Sequence, residues 1–108
     1  MDDVVLLYVT CADAAEARRI AAALLEDRLI ACANVAAPHT AIYRWQGEVR
    51  EEQETHMFLK TRAALADRVV ERIKAMHSYT CPGIVVLPIQ GGHEPFLRWI
   101  ADETAGQR

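Results

Sequence analysis

The sequence predicts an α+β fold with the element order βαββαβ, a long hairpin between the second and third strands, and an added C-terminal helix. Three observations predict it. Apolar runs of strand length stand at Val4–Val9, Leu29–Val35, Met57–Leu59 and Ile84–Ile89. Between them lie two stretches with helical spacing of apolar residues. A Gln46-Gly47 pair then joins two strand candidates into a hairpin.

Val4–Val9 is continuously apolar, as in a strand buried on both faces. Asp13 is a good helix N-cap, and Glu16 completes a capping box. Ala17, Ile20, Ala21, Leu24 and Leu25 form one apolar stripe, so the helix runs to about Asp27 or Arg28. Leu29–Val35 is the second strand. Ala36-Ala37-Pro38-His39 interrupts it, because proline donates no ladder bond. Thr40–Trp45 resumes it, with Tyr43 and Trp45 on one face and Ile42 and Arg44 on the other.

Gly47 supplies the positive φ of the turn. The third strand runs from Glu48 to about Thr61, polar in its first half and apolar in its second. Fourteen residues at about 3.3 Å each extend roughly 45 Å, more than a small domain needs. The arm is therefore expected to project, and to serve assembly. Ala63 to about Met76 is the second helix, with Leu65, Val69, Ile73 and Met76 on its stripe. His77–Gly83 is a loop, and Ile84–Ile89 is the fourth strand. After Gly91-Gly92, Pro95 opens a short helix anchored by Phe96, Leu97 and Ile100, and Thr104–Arg108 is expected to fray. This order is the split βαβ, or ferredoxin-like, arrangement, with strand order 4-1-3-2.

At 108 residues the chain is expected to be one domain. Its net charge of −3, with scattered Lys and Arg, argues against a nucleic-acid or anionic-membrane binder. No apolar run approaches the roughly 20 residues of a membrane span, and the acidic start is unlike a signal peptide. The cysteines Cys11, Cys32 and Cys81 form no CxxC, which points to reduced thiols in a cytoplasm.

The topology brings the His77–Gly83 loop to the end of the first strand. Cys11, His77 and Cys81 are thereby candidate ligands for a soft ion such as copper(I) or zinc. The plainer reading makes Cys11 and Cys81 small strand-end residues and His77 a helix C-terminal residue. Cys32 reads as a buried hydrophobe. His39, His56 and His93 show no spaced partner. The acidic run Glu48, Glu51, Glu52 and Glu54 reads as a solvated strand face. Tyr43 and Trp45 need cover, from a partner subunit or from a stacked ligand.

LIACANV, AIYRWQGEV, FLKTR and HSYTCPGIVVLPI, in this order, resemble the CutA, or divalent-cation tolerance, family. The resemblance spans nearly the whole chain. It implies a ferredoxin-like homotrimer whose hairpins pair between subunits. It also implies a cytoplasmic protein of copper or other divalent-metal tolerance, without catalysis or an organic cofactor. The expected partners are its own copies and a metal ion. Some relatives place a copper-ligand cysteine at the end of the first strand, where Val9 stands here, with Cys11 two positions later. His77 and Tyr79 match a His-Pro-Tyr sequence of the family, with Ser78 in place of the proline. Met76 stands where a second histidine occurs in some relatives. Thr80, Cys81 and Gly83 also depart from the family pattern, so Cys11 and Cys81 are offered as substitute ligands beside His77.

Two rival classes are weighed. One is a trimer resembling the PII signalling proteins, with Tyr43, Trp45, Lys60, Arg62 and Tyr79 lining a small-ligand cleft. The tight Gln46-Gly47 turn, in place of a long loop, argues against it. The other is a purely structural, stable scaffold. An acylphosphatase-like enzyme would need Arg and Asn after the first strand, where Thr10-Cys11-Ala12-Asp13 stands.

Overall fold

The computed structural model describes residues 3–106. The strands are β1 (Val4–Cys11), β2 (Cys32–Val35), β3 (His39–Trp45), β4 (Glu48–Arg62) and β5 (Ile84–Pro88). The helices are α1 (Ala14–Glu26), α2 (Ala66–Met76) and α3 (Glu94–Glu103). The sheet has the order β2-β4-β1-β5, and β3 extends it as a hairpin on β4. With β2 and β3 taken as one interrupted strand, this is the expected ferredoxin-like order, and every pairing is antiparallel.

The break at Ala36–Pro38 is bridged from β4. Ala36 N–H donates to the His56 carbonyl, and the buried Thr55 hydroxyl donates to the Ala36 carbonyl. The hairpin turns on Gln46 and Gly47, both at positive φ (51° and 82°). That is the type I′ geometry whose twist matches the flanking strands. The arm makes the molecule 45 Å long but only 25 by 23 Å across.

The main core lies on one face of the sheet. Leu7, Val9 and Cys11 of β1, and Met57 and Leu59 of β4, meet Ile20 and Leu24 of α1 and Val69 and Ile73 of α2. A second cluster forms where Ile100 and Leu97 of α3 pack on Val4, Ala31 and Ile89. The opposite face carries Leu6, Tyr8, His56, Phe58 and Lys60, all only half-buried, because α3 covers only the end of that face, at Val4 and Arg62.

Several expectations are corrected. Thr104 does not fray: it is fully buried, its hydroxyl donates to Ile100 O, and Arg62 donates to it. Gln107 and Arg108 lie outside the described residues. Phe96 does not anchor α3 but stands exposed beside Trp99, the rings 5.6 Å apart. Leu25 is exposed, while Glu16 joins the buried face of α1. α2 is entered through a 3₁₀ turn at Ala63–Leu65, since no capping side chain precedes it. Cys32 is half-buried, on the uncovered face.

Candidate functional site

Three groups converge where β1 runs out beside the loop after α2. Ligand-type atoms of Cys11, Glu16 and His77 all lie within 4.8 Å of one another. Each is placed by its local structure. Cys11 ends β1 with its side chain toward the helices. Glu16 sits in the first turn of α1, where Asp13 accepts from its N–H at 2.8 Å. Its carboxylate then reaches back to the Ala12 N–H at 2.9 Å, closing the capping box. The other carboxylate oxygen accepts the Ser78 N–H at 2.8 Å, so one side chain ties α1 to the loop after α2. His77, its side chain fully buried, donates from Nε2 to the Thr10 carbonyl at 2.7 Å. Its Nδ1 accepts the Tyr79 N–H at 3.0 Å.

The protonation states follow from these contacts. Burial, and next the Glu16 carboxylate, push the Cys11 thiol up from 9.0 to about 12. Burial alone would raise Glu16, but the hydrogen bonds from Ala12 and Ser78 outweigh it and hold the carboxyl below its ordinary value. His77 is held as the Nε2–H tautomer by its two partners.

A thiolate, a carboxylate and an imidazole make a chemically reasonable donor set. Here they do not fit an ion as they stand. Cys11 holds its proton firmly, the His77 lone pair is taken by a backbone N–H, and both Glu16 oxygens accept backbone donors. Among the described residues no buried side-chain polar atom lacks a partner. The cluster therefore acts as a hydrogen-bonded knot that fastens the loop to β1 and α1. Cys81 is not part of it: Cys81 is exposed, and the third group near Cys11 and His77 is Glu16.

Cys81 instead lines an open cleft of about 450 Å³ between the arm and the loop. Tyr43, Trp45 and Tyr79 give it aromatic walls, while Glu52, Glu54 and Arg50 give it charge. Tyr43 donates to Glu52 at 2.7 Å and Tyr79 to Glu54 at 3.0 Å. The hydrogen bond to Glu52 raises the Tyr43 phenol, while burial and then the bond to Glu54 raise that of Tyr79. Lys60 and Arg62, expected in this cleft, are absent from its walls. They stand at the far end of β4, roughly 40 Å along the strand from Glu48, which pairs with Trp45. There Lys60 donates to Asn34, and Arg62 donates to Thr104.

The residues that sequence reading passed over are Glu16, His39, Glu54 and His56. Glu16 was legible as a cap but not as a bridge to Ser78. The others carried a signal in the hairpin register. A two-residue turn that pairs Trp45 with Glu48 also pairs His39 with Glu54. The two-residue period of a strand then puts His56 on the same face as Glu54.

Fold and site together define a class: a ferredoxin-like protein with a projecting β-arm, an uncovered sheet face and a hydrogen-bonded loop at the base of the arm. The comparisons narrow the class. The sequence model of the family described as CutA1 divalent ion tolerance protein matches residues 5–103. The Divalent-cation tolerance protein CutA of Thermus thermophilus is 46% identical over 96% of this chain and 99% of its own length. That of Pyrococcus horikoshii is 38% identical over 93% of this chain and 97% of its own. The rice Protein CutA 1, chloroplastic, is longer, and the chain matches 56% of it. The crystal structure of CutA1 from Ehrlichia chaffeensis superposes with a TM-score of 0.91 at 35% identity, covering 96% of this chain and 97% of that one. This chain belongs to the CutA1 divalent ion tolerance protein family.

Proposed function

We propose that the chain works as a non-catalytic homotrimer in tolerance of divalent cations, copper among them, in the cytoplasm. Family membership supports the tolerance role. The observation that carries the assembly is the uncovered sheet face. Leu6, Tyr8 and Phe58 lie on the side of the sheet away from α1 and α2, beyond the end that α3 covers, and Val85 and Leu87 extend that surface along β5. Exposed Ile42 and Val49 stand on the other side of the arm, and α3 carries the exposed Phe96–Trp99 pair. Exposed apolar surface on an unshielded sheet face supports a protein–protein interface there. Among the described residues, no helix is long and apolar enough to cross a membrane.

Small-ligand signalling is the rival reading, favoured by the aromatic cleft and opposed by the tight type I′ turn. Light scattering at micromolar concentration tests the assembly, with a mass three times that of the chain expected and a monomer overturning it. Growth of cells lacking the protein under graded copper, zinc and cadmium tests the role. Lower tolerance is the expected result, and unchanged growth on all three would overturn the role.

A further inference from the structure

We propose that His39 and His56 form a binding site for a divalent transition metal, copper(II) above all, on the uncovered face of the sheet at the base of the arm. The inference deepens the metal-tolerance reading and takes its choice of ion from it. The Nδ1 atoms of the two rings are 2.8 Å apart, and the ring centroids are 4.7 Å apart with the planes at 46°. That distance is the hydrogen bond between the rings, so the two nitrogens are already held together before an ion arrives, and an imidazole pair suits copper(II), nickel(II) or zinc(II).

The surroundings match what a ligating histidine requires. His39 Nε2 donates to Glu54 Oε1 at 3.2 Å. That contact sets the tautomer and leaves the His39 Nδ1 lone pair facing His56, as an outer carboxylate orients a metal-bound histidine. Glu54 is itself held by the Tyr79 hydroxyl at 3.0 Å. The His56 ring is fixed by Tyr8 at 5.2 Å and, edge-on, by Phe58 at 5.6 Å. Without metal, one hydrogen bond between the rings occupies both Nδ1 atoms. Moving the His56 proton from Nδ1 to Nε2 frees the second lone pair with no net loss of a proton. This distinguishes the pair from Cys11, whose thiol must surrender a proton held to about 12. In the single chain the His39 side chain is 25% exposed.

The experiment is calorimetric titration of the purified, reduced protein with copper(II) at pH 7.5, followed by electron paramagnetic resonance of the complex. One copper per chain is expected, with hyperfine splitting from two imidazole nitrogens. His39→Gln and His56→Gln should each weaken binding at least tenfold. Glu54→Gln, a change at a positioning residue, should weaken it by about tenfold while keeping the two-nitrogen signature. Cys11→Ala with His77→Ala should leave it unchanged. If His56→Gln unfolds, the more exposed His39→Gln carries the test. Wild-type affinity in both histidine variants, a spectrum without two nitrogens, or no stoichiometric binding overturns the site. Copper bound elsewhere would overturn the site and leave the tolerance role standing, since growth assays judge that role separately.

Discussion

At the scale of single residues, Glu16 is the side chain on which the base of the arm depends. It accepts N–H groups from Ala12 and Ser78, sixty-odd positions apart in sequence. Its pKa is depressed on folding, so its contribution to stability is present above about 4.5 and is lost as pH falls through the lower folded value. Glu16→Gln turns an amide NH₂ toward one backbone donor and should cost about 1–3 kcal/mol at pH 7. Denaturant titrations at pH 7 and pH 3 check this, with a smaller difference expected at pH 3. An equal difference at both would show that the charge contributes nothing. Cys11 obeys the opposite sign. Its raised pKa means that its contribution holds below pH 9 and declines between 9 and about 12. At pH 8, a thiol reagent should label exposed Cys81 within minutes and reach fully buried Cys11 only on unfolding. Rapid modification of Cys11 in the folded protein would contradict the knot.

At the scale of elements, the hairpin is governed by its turn. Gln46 and Gly47 both hold positive φ, and Gly47 at 82° is where a side chain is most strained. Gly47→Ala should cost about 1–2 kcal/mol, read as a lower unfolding midpoint, although open space surrounds the position. A neutral result would mean that the arm takes its register from elsewhere. The base of the arm is tied differently. Thr10 N–H donates to the Gly83 carbonyl at 3.0 Å, and a Cβ on Gly83 would stand 2.7 Å from the Thr10 hydroxyl oxygen. A glycine therefore lets the loop approach β1. The sequence placed the arm correctly because its signals are local: a two-residue turn, alternation along the strands, and a proline at the break. It misjudged Leu25, Phe96 and Thr104 because burial at the ends of helices depends on which neighbours arrive there. Thr104 is buried by Arg62, forty-two residues away.

At the scale of the whole molecule, α1 and α2 cover one face of the sheet, while α3 covers only one end of the other and leaves the rest bare. A charge placed in that bare face tests the assembly without touching the folded core. Phe58→Glu should shift light scattering from trimer to monomer, while far-UV circular dichroism is retained. A trimer of unchanged mass would show that this face is not the interface. The metal proposal belongs to the same face, since His56 and Phe58 are near neighbours on it.

The order of elements, the hairpin and the family resemblance were all legible in the residues. Each rests on short-range spacing and turn chemistry that any chain of this pattern must obey. The tertiary structure alone decided which polar groups meet. It joined Glu16, rather than Cys81, to Cys11 and His77, and carried Lys60 and Arg62 to the far end of β4. It also set His39 against His56, a pairing written in the hairpin register yet invisible until the strands close. The physical reason is that side-chain contacts between distant segments depend on register, twist and the path of loops, which no local window of residues contains.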